Sequence, residues 1–168
     1  MNDRLWIGID PGYGERNATG WAILDDTFLL ACGTLRVQGH DDDLRLLDLA
    51  VKLRGALDRN IPPGRVWSCG CELPIFGPNL RVIATLARIN GLVTGYCAEQ
   101  GVRIYSIQPS AAKLALSGNG AADKDEMIRA AQQQFPLYAR VTHDAEADAL
   151  GIALAARACW LAQGGDDV

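Results

Sequence analysis

The sequence predicts an α/β domain built on a five-stranded mixed sheet with helices on both faces. Three observations point there. The first third reads as three short strands joined by tight turns, the middle alternates helix and strand, and the last third is helical. At 168 residues the chain has the size of one domain, expected to span residues 1–163, with a frayed tail at 164–168.

The elements follow in order. Leu5–Asp10 alternates, with Leu5, Ile7 and Ile9 on one face and Trp6, Gly8 and Asp10 on the other. Pro11-Gly12 turns the chain, Thr19–Leu24 forms a second strand, and Asp25-Asp26 leads into a third from about Phe28 to Val37. Residues from Asp41 to about Asn60 repeat Leu44, Leu47, Ala50, Val51, Leu53 and Leu57 at helical spacing. Ile61-Pro62-Pro63-Gly64 ends that helix, and Val66–Glu72 is the fourth strand. A long helix runs from Leu80 to about Gln100, where Gly101 stops it, and Val102–Ile107 is the fifth strand. Pro109 opens a short helix that ends at Gly118-Asn119-Gly120. Asp123 and Glu126 have capping-box spacing for the helix that follows, to about Phe135. The final helix runs from Asp144 to about Gln163. Strands one, four and five should be parallel, because helices connect them.

Composition narrows the function classes. Apolar residues make up 49% of the chain, which fits a packed domain. No apolar run approaches the roughly 20 residues that span a bilayer, and no signal peptide is evident, so a cytoplasmic protein without membrane contact is expected. The five cysteines lack zinc-knuckle spacing and read as free thiols. A net charge of −4 argues against a generally basic nucleic-acid binder, yet a local basic stripe or bound cations could still serve one.

The chemistry-bearing residues are carboxylates. Asp10 and Glu72 end apolar strands, and an acid buried there is costly without a partner. Gly8 and Gly70 lie on the same faces as these acids and leave room for a helix of small residues. The final helix has that character in Ala145, Ala147, Ala149, Ala153, Ala155 and Ala156. On it Asp144 and Asp148 sit about 40° apart around the axis, whereas Glu146 lies about 160° from Asp148 and is expected to face solvent. Two like charges on a buried face call for a cation. Oxygen ligands of this kind suit magnesium, and four carboxylates suit two ions about 3.5–4 Å apart. Each acid also has an ordinary reading: Asp10 as a turn former, Glu72 as a surface acid, Asp144 as a helix cap.

With those residues in view, the chain resembles the RuvC-type Holliday-junction resolvases. The resemblance rests on Ile7-Gly8-Ile9-Asp10-Pro11-Gly12, on Thr19-Gly20-Trp21-Ala22, and on the order and spacing from Cys71-Glu72 to Asp148-Ala149-Leu150. It implies a ribonuclease H-like fold, a homodimer, and a magnesium-dependent endonuclease acting in DNA recombination and repair by paired nicks in four-way junctions. Manganese should substitute, and a branch-migration helicase is a possible partner. The family's acids map onto Asp10, Glu72 and Asp148, with Asp10 bridging both ions and the other two each completing one shell. Its two basic residues map onto Lys113 and Lys124, around the loop Leu116-Ser117-Gly118-Asn119-Gly120-Ala121.

Three departures stand out. The family's fourth ligand falls here on Ala145, so its role passes to Asp144, with His143 (about 140° from Asp148) the weaker substitute. The loop Tyr13-Gly14-Glu15-Arg16-Asn17-Ala18 is about three residues longer than usual in the family. Ile75 stands where the family often has a stacking aromatic, a part that Phe76 could take. Arg16, Phe76, Arg81 and Arg88 complete the expected DNA contacts. The other readings are a related nuclease for different branched DNA or RNA–DNA hybrid, and a catalytically silent junction-binding protein, which the missing acid at Ala145 favours. An actin-like or sugar-kinase ATPase would need a second domain and a second glycine-rich phosphate loop, for which this chain is too short.

Overall fold

The computed structural model describes residues 4–13, 18–63, 65, 67–73, 79–136 and 141–164. Its strands are β1 (Leu5–Asp10), β2 (Thr19–Leu24), β3 (Leu29–Leu35), β4 (Trp67–Glu72) and β5 (Ile104–Ile107). Its helices are α1 (Asp42–Asn60), α2 (Leu80–Glu99), α3 (Pro109–Ser117), α4 (Lys124–Gln134) and α5 (Asp144–Ala162). The sheet order is β3-β2-β1-β4-β5, antiparallel across β3-β2-β1 and parallel across β1-β4-β5; the parallel arrangement of β1, β4 and β5 is the part the sequence pattern predicts. No helix among the described residues is long and apolar enough to cross a membrane.

Alternation along β1 divides the core into two layers. Leu5, Ile7 and Ile9 pack with Leu53, Leu57, Val93 and Cys97 beneath α1 and α2. Trp6 packs instead with Leu116, Met127, Leu150 and Trp160 beneath α3, α4 and α5. All five cysteines are free thiols.

α5 lies directly on the sheet because glycines let it. A Cβ at Gly8 would stand 1.9 Å from the Ala149 carbonyl oxygen, and one at Gly20 would stand 1.9 Å from that of Ala145. Real side chains cannot approach so closely, so these two strands accept the helix only as glycines. At Gly70 the neighbours are Ile152 and Ala156. The helix therefore crosses from β2 at its start, over β1, to β4 near its end.

Some boundaries differ from expectation. β3 stops at Leu35, after which side chains of α1 hold the backbone: Lys52 Nζ donates to the Arg36 carbonyl and Arg45 Nε to the Gly39 carbonyl, both at 2.9 Å. β5 begins at Ile104 because Val102 N still donates to Cys97 O at the end of α2. The capping box of Asp123 and Glu126 forms as predicted. Glu146 corrects the helical-wheel argument. It is buried, and its Oε2 accepts from Thr142 N at 3.3 Å. A wheel assigns one wet face, but α5 also packs against β3, where Glu146 lies near enough to Cys32 for its charge to raise that thiol.

Candidate active site

β1 and β4 run in parallel register, Gly8 beside Gly70 and Ile9 beside Cys71. Their last residues, Asp10 and Glu72, therefore end adjacent strands at the same edge, about 4.8 Å apart along the hydrogen-bonding direction. Both belong to the pleat that faces α5. The seats at Gly20 and Gly8 bring the first two turns of α5, and with them Asp144 and Asp148, over this row.

The electrostatics show that these acids share one field. Burial raises the Asp10 carboxyl well above the usual range, and Glu72, Asp148 and Asp144 raise it further. Glu72 is raised by burial and then by Asp148. Asp148 is raised by burial and then by Asp144. Asp144 differs, because its hydrogen bond from Lys124 holds it below the usual carboxylate range. It is not the helix cap: His143 occupies that position and makes no side-chain cap bond.

Two lysines serve the acids. Lys124 forms an ion pair with Asp144. Lys113 donates to the Ala122 carbonyl at 2.7 Å, bracing the loop between α3 and α4, and its charge lowers both Glu72 and Asp148. Gly118 closes α3 in a left-handed conformation at φ 77°, as the glycine loop predicts.

A cleft of about 520 Å³ opens over the site, lined by Asp10, Tyr13, Lys124, His143, Asp144 and Asp148 among others. Ala145 also lines it but offers no donor or acceptor from its side chain. Among the described residues, no three His, Cys, Asp or Glu side chains form a ready-made metal cage. The donor chemistry nevertheless suits a hard cation. The set is all oxygen, and three buried or half-buried carboxylates repel one another with no salt bridge at Asp10, Glu72 or Asp148 among those the structure shows. A cation would relieve that repulsion once the side chains turned towards it.

The remaining predicted contacts divide. Arg81 and Arg88 are exposed on the first half of α2, but each pairs with an acid of α1, Arg81 with Asp42 at 3.0 Å and Arg88 with Asp43. Arg81 reaches the cleft. Arg16 and Phe76 lie outside the described residues. Sequence reasoning missed Tyr13, Arg36, Asp42 and Arg45, all in the cleft wall. Tyr13 donates to the Asp42 carbonyl at 3.0 Å. Its place just after Asp10-Pro11-Gly12 was the one available signal, and nothing local marked the two arginines.

Sheet order and carboxylate placement together define a ribonuclease H-like domain with an acidic site at its strand ends. The solved structures agree on the fold. A T. thermophilus RuvC in complex with a Holliday junction substrate superposes with a TM-score of 0.76 at 23% identity, over 96% of each chain. A second structure of Thermus thermophilus RuvC gives 0.69 at 22% identity, over 95% of this chain and 96% of that one. Residues 6–156 match the family described as crossover junction endodeoxyribonuclease RuvC. The enzyme of that name from Roseiflexus sp. (strain RS-1) is 31% identical over 153 residues, 88% of this chain and 87% of its own length. The one from Nitratidesulfovibrio vulgaris (strain DP4) is 32% identical over 125 residues, 72% and 71% respectively. The chain belongs to the RuvC family, whose members named here are endodeoxyribonucleases.

Proposed function

We propose that this protein is a magnesium-dependent endonuclease that resolves four-way DNA junctions by paired, symmetric nicks. One observation carries the reading. Asp10, Glu72 and Asp148 come from three separate elements to one edge of the sheet, raise one another's proton affinity, and have two lysines beside them. Asp10, Glu72 and Asp148 would hold the cations, with Asp144 assisting. When bound, magnesium would supply Lewis acidity at these carboxylates, for the attacking water and for the departing oxygen, and manganese would substitute. The chain's own residues do the rest. Lys113 and Lys124 present ammonium donors to the phosphate oxygens beside the cut. Lys124 can do so only by sharing its protons between Asp144 and the substrate. Lys113 braces the glycine loop through its bond to the Ala122 carbonyl, and the charges of both lysines act on Asp148.

The same reading includes a homodimer, whose two-fold axis matches the symmetry of the junction. It places the contact on α2, where Cβ atoms built at Gly91 and Gly95 would meet nothing within 4 Å. A branch-migration helicase would deliver the substrate. One observation favours a second reading, a silent junction binder: Ala145 brings no ligand and Asp144 is held by Lys124.

The test is cleavage of a synthetic four-way junction, a flap and an RNA–DNA hybrid, each mapped to the nucleotide in magnesium and in manganese. Symmetric nicks confined to the junction are expected. Tight junction binding with no cleavage in either metal supports the silent reading, and preferential cutting of the flap or the hybrid overturns junction resolution.

A further inference from the structure

The cleft over the carboxylates has a neighbour. A second cavity, also about 520 Å³, is lined by Arg36, Val37, Gln38, Gly39, His40 and Arg45. Arg36 and Arg45 line both, so the two cavities share a wall made of two arginines. Charge changes along this path. The inner cavity holds Asp10, Asp42, Asp144 and Asp148, whereas among the described residues no acid lines the outer one.

The wall is also built rather than loose. Val37 is buried against Leu46, Leu49 and Ile89. Gln38 N donates to Asp48 Oδ2 at 2.9 Å, Lys52 holds the Arg36 carbonyl, and Arg45 holds that of Gly39. Three bonds between this segment and α1 thus fix a stretch that has left the sheet, and the bond from Arg45 Nε holds that guanidinium in place. A fixed cation meets a phosphate at less entropic cost than a mobile one.

We propose that Arg36 and Arg45 form a phosphate track, binding the phosphodiester backbone next to the cut as the strand leaves the acidic site on the β3–α1 side. The proposal rests on the junction-nuclease reading and adds the direction in which the bound strand runs. Acids gather around the reacting phosphate, where cations are expected, and arginines serve the flanking phosphates. A chain of net charge −4 needs such local cations to hold a polyanion.

Junction affinity is measured by fluorescence anisotropy in chelator, across a salt series, for the wild type, Arg36→Gln, Arg45→Gln and the double variant. Arg59→Gln, at the far end of α1, removes the same charge as a control. Each groove variant should bind about tenfold more weakly and lose about one unit of the slope of log K against log salt, and the double variant about two. Arg36→Lys and Arg45→Lys should recover most of the slope, and unchanged thermal unfolding shows that the variants fold. A neutral methylphosphonate linkage walked outward from the cut should weaken the wild type at one or two positions, where the double variant becomes insensitive. Slopes equal to that of Arg59→Gln, in a wild type that does bind the junction, overturn the track alone. A wild type that ignores the junction overturns the function on which the track rests.

Discussion

Helices α1 and α5 both begin with acids, and they treat them in opposite ways. At α1, Asp41 accepts from Leu44 N at 2.8 Å, Asp42 takes Arg81 and Asp43 takes Arg88. Every charge there is discharged at the surface, and the pairs tie α1 to α2. At α5, His143 makes no cap bond, and of the acids in its first two turns Asp144 alone has a salt bridge among the described residues. Asp148 stays half-buried beside Asp10 and Glu72, in a group whose members push one another's proton affinity up. Acids at a helix start can stabilise a fold or hold a charge in readiness, and the partner decides which. Unrelieved repulsion, rather than acidity, marks the site.

The strongest way to break this contrast is to remove one acid from each helix. Asp148→Asn should lower junction cleavage roughly a thousandfold while leaving junction binding in place. Asp43→Asn should leave cleavage within about twofold, because its carboxylate only pairs with Arg88. Single-turnover cleavage and anisotropy on the same preparations decide it, and full activity in Asp148→Asn would remove the cation argument.

Proton linkage gives a smaller effect of definite sign. The folded state raises Asp10, Glu72 and Asp148, so it prefers their protonated forms. Their contribution to stability is present below the unfolded carboxyl range near 4 and is lost as pH rises through the raised folded values. In chelator the wild type should therefore lose thermal stability from mildly acidic to neutral pH. Asp10→Asn should flatten that slope and raise the midpoint near neutrality by about 3 °C. Adding magnesium should stabilise the wild type more than the variant. A midpoint that falls in Asp10→Asn would show that the acid is already satisfied in the fold.

The smallest effect belongs to the structural helix. Asp41→Ala should cost about 1 kcal/mol, through the lost bond to Leu44 N, with cleavage per folded molecule unchanged. Denaturant unfolding measures it.

Much of the architecture was legible because its signals are local. Alternation in Leu5–Asp10 assigns each side chain to a face, and the structure keeps every assignment. Gly8 and Gly70 beside their acids, with a helix rich in alanine later in the chain, predicted the close seat of α5. Glu146 shows where locality fails. Its angle on the helix says solvent, but the side chain is buried, with its charge acting on Cys32 of β3.

Charge partners were the least legible part. Lys124 and Asp144 are 20 residues apart, and Arg81 and Asp42 are 39 apart. Arg36 and Arg45 meet at the cleft only because the chain leaves β3 and is pinned back onto α1.

By itself the sequence determined the elements, the pleat on which Asp10 and Glu72 stand, and the family. Backbone periodicity and turn chemistry act over a few residues and need no knowledge of the rest. The tertiary structure alone decided which cation answers which carboxylate, which acids stay unanswered, and where a basic wall adjoins them. Coulomb interactions depend on distance through space and on burial, and a linear order of residues carries neither.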